Sequence, residues 1–518
     1  MSSNPTDSPA IPAKAGTPAQ PACPALPPPL DYATLAPSAL HVSDKRTCMT
    51  VLESLADVVG PAACLTATED IAPYAVDWRG AYRGTPTAVV KPAATAEVAE
   101  IVRRCASQGL AIVPAGGRTG LCGGSVPPAN GPASIVLSLE RMNRIRDIDA
   151  RDFSVVAEAG CVVQNVQQAA ADAGRFFPIQ WGAQGTAQIG GMLSTNAGGI
   201  RTLRWGNARE LVLGLEVVLP DGRVLDDLRR VRKDNSGYAL RHLFIGGEGT
   251  LGIITAAALR LQPALKRVET AFVAVPSPDA ALSLYGRIME SGADLIAFEL
   301  CARYCMQTAA KHGVGLRMPL PLESPWYVMV EIAAAHPSVP LRDMLEGTLA
   351  EAMEQGEVTD ASLADSEAQR LGIWKIREDY PECSRLEGPA VNTDTAVPVS
   401  AVPKFLDTAI REVSHRWPDG RISAIGHAGD GNIHFGLHAP AGWTAGRPAW
   451  VERTDGFEPL VNAIAVSLGG SFSAEHGIGQ SKRHAMATHK DPIAMDVMRQ
   501  IKSALDPDAR MNPGKVLP

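Results

Sequence analysis

Three glycine-rich segments constrain this chain more than any other feature. A-G-G-R-T-G-L-C-G-G-S, Ala115 to Ser125, follows the apolar run Leu110 to Pro114. G-A-Q-G-T-A-Q-I-G-G-M-L-S-T-N-A-G-G, Gly182 to Gly199, and F-I-G-G-E-G-T-L-G-I-I-T, Phe244 to Thr255, follow in the same half. Without a Cβ the backbone can approach a ligand closely, and successive N–H groups in such a loop curl around a phosphate as an anion nest. In the first segment Gly116, Gly117, Gly120, Gly123 and Gly124 leave little side-chain cover, and Arg118 adds a cation. One such loop reads equally well as a surface turn; three in one unit are hard to explain that way. Neither G-x-x-x-x-G-K-[ST] nor a G-x-G-x-x-G opening a helix is present, which disfavours a nucleotide triphosphatase or a nicotinamide-binding Rossmann domain.

The surroundings alternate strands and helices. Ala94 to Gln108 has apolar residues at helical spacing, Leu110 to Pro114 reads as a strand, and Asp221-Gly222 between two apolar runs is a hairpin signal. After Gln262 the glycine loops stop. E-T-A-F-V-A-V, a helix from Pro278 to about Ser291, and strands near Ile296 and at W-Y-V-M-V-E-I fit a separate α+β cap with an antiparallel sheet. Leu341 to Gln355 reads as an outer helix whose acidic residues form a solvated face. A length of 518 residues exceeds one ordinary core, so two to three domains are expected. The Pro/Ala-rich first 45 residues cannot bury enough apolar surface to offset their ordering entropy and are expected to be a disordered tail. They lack a secretory signal and have few arginines for an organelle transit peptide.

A net charge of −7 argues against a nucleic-acid surface. The nine cysteines are scattered without a Cys-x2-Cys clip, which suggests neither an iron–sulfur cluster nor a disulfide framework and favours a reducing compartment. The cytoplasm is the expected location, with a place at a membrane surface or in an organelle left open. No apolar run has the length of a membrane span.

The second half carries its own signature, G-H-A-G-D-G-N-I-H-F, Gly426 to Phe435, followed by S-A-E-H-G-I-G, Ser473 to Gly479. If Asp430-Gly431 forms a two-residue type I′ turn, His427 falls directly opposite His434, with Cβ atoms roughly 5 Å apart. Glu475 could then complete a set of two histidines and one carboxylate with open positions for substrate oxygens, leaving His476 free as a base. Alone, a His-x6-His pair also describes two ordinary histidines.

Taken together, P-A-G-G-R-T-G-L-C-G-G-S-V-P, S-T-N-A-G-G-I, K-D-N-S-G-Y-A-L-R-H-L-F-I-G-G-E-G-T-L-G and the terminal M-N-P-G-K-V-L-P resemble the FAD-linked oxidase family of the vanillyl-alcohol-oxidase fold. Within it they resemble the FAD-dependent D-2-hydroxyacid dehydrogenases that act on D-2-hydroxyglutarate or D-lactate. The likeness runs from about Asp77 to Pro518.

The resemblance implies an α+β chain: a two-lobed FAD-binding domain over 46–264, an α+β cap over 265–455, and a helical C-terminal segment, 456–518, completing both sites. It implies that FAD is held without a covalent bond. The first contacts would come from Pro114, Ala115, Gly116, Gly117, Arg118, Thr119, Gly120, Gly124 and Ser125. The second segment would add Gly182, Gly185, Thr186, Gly190, Gly191, Ser194, Asn196, Gly198 and Gly199, and the third Glu248, Gly249, Gly252 and Ile254, with Asn512 at the end of the chain. It further implies a divalent metal, usually zinc, on His427, His434 and Glu475, with His476 as base, Arg377 on the substrate carboxylate and Asn432 hydrogen-bonding substrate or flavin.

The expected reaction is oxidation of a D-2-hydroxy acid to the 2-oxo acid, by metal-assisted proton removal and hydride transfer to the flavin. The electron acceptor would be a quinone, a cytochrome or an electron-transfer flavoprotein, and the resemblance allows a homodimer. Two positions depart from the 2-hydroxyglutarate pattern: Asn392 stands where a lysine is expected and Gly436 where an asparagine is. Both weaken capture of a second carboxylate, so a D-lactate or glycolate dehydrogenase, or a flavin subunit of a glycolate-oxidase-like complex, stays open.

Overall fold

The structure is a computed structural model describing residues 45–518; the Pro/Ala-rich tail lies outside the described residues. Its first sheet has four strands in the order Cys64–Leu65, Ala88–Val90, Ser134–Ser138, Ala111–Ala115. The last three run parallel. The helix Thr95–Ser107 makes the crossover and buries Val98, Ala99, Ile101, Val102 and Cys105 against them. Because both faces are covered, Ser134–Ser138 is buried along its whole length, as parallel strands usually are. The first glycine segment leaves the carboxyl end of Ala111–Ala115, where ligands of such sheets collect.

The second sheet is antiparallel, in the order Ile145–Asp149, Ser154–Glu158, Ile253–Arg260, Val212–Val218, Val224–Asp227. Its expected hairpin is closed by Leu219 N–H donating to Arg223 O at 2.8 Å, with Gly222 at φ 81° supplying the left-handed residue of the turn. The short helix Ile189–Ser194, inside the second glycine segment, packs its apolar side into this sheet's core.

The largest sheet is antiparallel, in the order Asp360–Leu363, Arg267–Val275, Trp326–Ala334, Asp294–Ala302, Arg421–Gly426, Asn432–His438, Ala390–Asn392, with Thr395–Ala396 pairing beside it. One face, carrying Val328, Val330, Phe298, Leu300, Ile433 and Phe435, is covered by Pro278–Glu290, Leu341–Glu354, Val402–Arg416 and Phe457–Ser467. The other, carrying Tyr327, Met329, Cys301 and Ile425, is covered by Arg303–His312 and Glu367–Glu387. Alternation with period two therefore sorts side chains between two helical layers rather than between core and water. Two carboxylates, Glu299 and Glu331, interrupt the second face and are buried there. The helix Glu367–Glu387 lays Arg370, Trp374 and Arg377, spaced four and then three residues apart along one side, over those acids. No helix among the described residues is long and apolar enough to cross a membrane.

Candidate active site

The site lies where two cap strands end. Arg421–Gly426 and Asn432–His438 pair with Ile425, not His427, opposite His434. The expected two-residue Asp430-Gly431 turn does not form. His427 O instead accepts the amides of Asp430 at 3.1 Å and Asn432 at 3.2 Å, and the Asp430 side chain caps the Asn432 N–H, so residues 427–431 make a wider loop. The register is displaced by two residues, an even number, so both histidines still share a face. Their ring centroids are 5.8 Å apart at 80°.

Glu475 meets them from the C-terminal segment, with Oε1 3.6 Å from His427 Nε2 and Oε2 3.9 Å from His434 Nε2. One ligand atom from each residue falls within 4.8 Å of the others, a spacing and donor set that fit a divalent ion such as zinc. The segment is held from the flavin half. Glu248 accepts Ile478 N–H at 2.7 Å and Gly479 N–H at 2.8 Å, and a Cβ on Gly479 would overlap Cys122 O at 2.1 Å.

Asp394 is a group the sequence reading did not single out. It is buried and accepts the amides of Glu475 at 3.1 Å and His476 at 2.9 Å, and Asn432 Nδ2 at 3.2 Å. Lys482 Nζ and His476 Nδ1 each lie 3.4 Å from its Oδ2. Asp394, His434 and His476 also lie close enough to hold a metal, but Asp394 already receives these donors, so the set with Glu475 fits an ion better. The lone acid in the strand-like segment V-N-T-D-T-A-V was the available signal.

Glu299, also not singled out, is fully buried on the strand Asp294–Ala302 and contacts both His427 Nδ1 and Arg377 Nε, the latter at 2.6 Å. Burial opposes its ionisation, but His427 and Arg377 outweigh it and hold the carboxyl at about 2. Burial would likewise lower His427, yet Glu299 and Glu475 raise it to about 9, the response of a site that calls for positive charge. Burial pushes His434 down to about 3, only partly opposed by Asp394, and lowers His476 against the same opposition. Both imidazoles are therefore neutral near pH 7, as a ligand and a base require. Burial would raise Asp394, but His476, Lys482 and His434 hold it well below the usual carboxylate range.

Asn432 gives its Nδ2 to Asp394 and to Thr395 O at 2.9 Å, while its buried Oδ1 has no partner. The two departures form one feature: Asn392 pairs with Gly436, and a Cβ on Gly436 would meet Asn392 Oδ1 at 2.2 Å and Ser423 Oγ at 2.6 Å.

In the flavin half the first two glycine segments lie against each other. A Cβ on Gly117 would overlap Thr186 O at 2.1 Å, and one on Gly116 would press on Gly191 Cα at 3.3 Å. Gly120 and Gly182, in the same two segments, are exposed, with nothing within 4 Å of their Cβ positions. A Cβ on Gly199 would overlap Gln180 O at 2.1 Å, and one on Gly198 would lie 3.3 Å from Glu475 Oε1, so the second segment reaches the cluster of histidines and carboxylates. Gly249 sits on the Pro114 ring and Gly252 on Val217. Asn512 Nδ2 donates to Gly124 O at 3.0 Å and Glu248 O at 2.6 Å. Its own Oδ1 and that of Gln188, Oε1, are buried without partners beside these segments, acceptors suited to the hydroxyls and N–H groups of a flavin nucleotide.

Several anticipated side chains make contacts within the protein. Arg118 stacks 4.1 Å over Tyr74, Ser194 Oγ donates to Gly190 O at 2.7 Å, Asn196 Oδ1 accepts Arg209 N–H at 2.9 Å, and Ile254 lies in the core. Arg118, Asn196, Glu248 and Asn512 all have positive φ, between 43° and 56°, a strain that non-glycine residues tolerate at constrained sites.

A mixed α+β chain whose second glycine segment abuts a buried ionisable cluster has the arrangement of a flavin-dependent oxidoreductase. In overall fold it superimposes on p-cresol methylhydroxylase with substrate bound at a TM-score of 0.70, with 14% identity over 91% of this chain and 97% of that one. Residues 86–227 match the family described as "FAD binding domain", and residues 264–516 match "FAD linked oxidases, C-terminal domain". The chain is 37% identical over 465 residues, 89% of its length and 80% of the relative's, to a probable mitochondrial D-2-hydroxyglutarate dehydrogenase of Oryza sativa subsp. indica. It is 36% identical over 463 residues, 89% of its length and 96% of the relative's, to the D-2-hydroxyglutarate dehydrogenase of Xanthomonas citri pv. viticola. This chain belongs to the FAD-linked oxidase family and is an FAD-dependent dehydrogenase related to the D-2-hydroxyglutarate dehydrogenases.

Proposed function

We propose that the protein oxidises a D-2-hydroxy acid, with D-2-hydroxyglutarate the expected substrate, to the corresponding 2-oxo acid. The observation that carries this reading is the grouping of His427, His434 and Glu475 beside His476, with Arg377 joined to His427 through Glu299. In this reading residues 46–264 hold the flavin, 265–455 form the substrate cap, and 456–518 close both sites. The rice relative's name carries the word mitochondrial, so the cytoplasmic expectation extends to an organelle.

When bound, FAD supplies the hydride acceptor, and a divalent ion on His427, His434 and Glu475, zinc by its donor set, supplies Lewis acidity. Arg377 holds the C1 carboxylate, because a planar guanidinium binds a carboxylate through two parallel hydrogen bonds and stays charged. His476 removes the proton from the C2 hydroxyl, with Asp394 on its Nδ1 side leaving Nε2 for the substrate. The C2 hydrogen then departs with its electron pair, and Asn432 Oδ1 can accept a hydrogen bond from substrate or flavin. A quinone, cytochrome or electron-transfer flavoprotein takes the electrons onward.

The test is anaerobic flavin reduction with D-2-hydroxyglutarate, D-lactate, D-malate and glycolate. D-2-hydroxyglutarate should bleach the visible flavin band fastest. The Asn392–Gly436 pair, an amide where a cation would bind a second carboxylate, favours one other reading, D-lactate. Faster bleaching by D-lactate would establish that reading.

FAD is held here without a covalent bond. Cys122, the thiol within the first glycine segment, is buried, which pushes its pKa up to about 11 and keeps it protonated. Acid or heat denaturation should therefore release all of the yellow chromophore into the supernatant; colour retained in the precipitate would point to a covalent link.

A further inference from the structure

We propose that Glu299 is a positioning residue that fixes the metal-binding tautomer of His427 and the substrate-binding fork of Arg377 at the same time. The inference rests on the metal reading above. Glu299 lies in the middle of the strand Asp294–Ala302, between Phe298 and Leu300, whose side chains enter the apolar core on the opposite face. Its own side chain is completely buried, and a lone carboxylate there would be strongly destabilising. Two N–H groups from different elements satisfy it. Arg377, on the helix Glu367–Glu387, donates Nε–H to Oε2 at 2.6 Å. His427, in the loop after Arg421–Gly426, places Nδ1 on Oε1.

Each contact decides which atoms remain free. With Nδ1–H donated to Glu299, the lone pair of His427 is on Nε2, the nitrogen that faces Glu475 Oε1 at 3.6 Å. With Nε–H donated, Arg377 keeps its two terminal nitrogens as a fork for a carboxylate. Both arrangements need an acceptor at each end of the Glu299 side chain, which a carboxylate has and an amide lacks.

Glu299→Gln preserves volume and keeps only one acceptor. Either its NH2 faces His427 Nδ1 and favours the tautomer that cannot ligate through Nε2, or it faces Arg377 Nε–H and displaces the guanidinium. A group that merely fills space would tolerate this change. The experiment uses FAD-loaded full-length protein and measures zinc affinity by competition with a chromogenic chelator, together with KM and kcat for the best substrate of the panel. The expected result is zinc binding weakened roughly 10- to 100-fold, or, if His427 keeps its acceptor, KM raised by a similar factor, with an unchanged flavin spectrum. Wild-type zinc affinity together with wild-type KM would overturn the proposal while leaving the metal reading intact. Wild-type protein that takes up no divalent metal would overturn both. A second measurement does not depend on the variant folding: anomalous scattering from zinc-loaded wild-type crystals should place the ion on His427 Nε2 with Nδ1 toward Glu299. An ion on Nδ1, or on Asp394, His434 and His476 instead, would overturn it.

Discussion

His476→Ala should leave FAD bound with an unaltered visible spectrum and slow anaerobic bleaching by the preferred 2-hydroxy acid by about 10²- to 10⁴-fold, the usual contribution of a positioned general base. Burial keeps this imidazole neutral, and Asp394 both bonds its backbone N–H and faces its Nδ1. A C2–H bond does not release hydride readily while the adjacent oxygen keeps its proton, so losing the acceptor affects the chemical step rather than binding. KM should change little. The backbone of Ser473 to Gly479 does not depend on the ring, because it is held by Glu248 and by Asp394 through main-chain amides. Bleaching at the wild-type rate would remove His476 from the mechanism.

Removing the metal should have an effect of similar size. Dialysis against a strong chelator, or His434→Ala, is expected to lower turnover on the order of a thousandfold, the equivalent of about 4 kcal/mol of Lewis-acid stabilisation. The flavin spectrum should stay as it was, since the glycine segments are built from other residues. Zinc should restore the chelated wild type but not the variant, in which one of the three proposed ligands is gone. Activity indifferent to chelators would favour a metal-free alcohol oxidation on the same scaffold and end the assignment of His427, His434 and Glu475.

Much of the architecture was legible because its signals are local. Helical spacing located Thr95–Ser107, Pro278–Glu290 and Leu341–Glu354 to within a residue or two, and the antiparallel cap followed from strands separated by helical segments. The histidine pair was found for a reason that was only half right. The turn between the strands is wider than Asp430-Gly431 suggested, and the face was preserved because the register moved by an even number. Arg118 was legible as a cation in a glycine loop, whereas its stacking on Tyr74 was not, because the two meet only in the folded chain.

What the sequence by itself determined is therefore whatever depends on neighbours a few residues away: glycines that open the backbone, the period of each strand and helix, and the presence of two histidines and a carboxylate able to meet. Only the tertiary structure decided how the buried acids are used. Glu299 meets His427 across 128 residues and Asp394 meets His476 across 82, and neither pairing leaves a periodic trace in the chain. A carboxylate removed from water must find its donors wherever the fold brings them, and that depends on how the sheets, helices and C-terminal segment pack together.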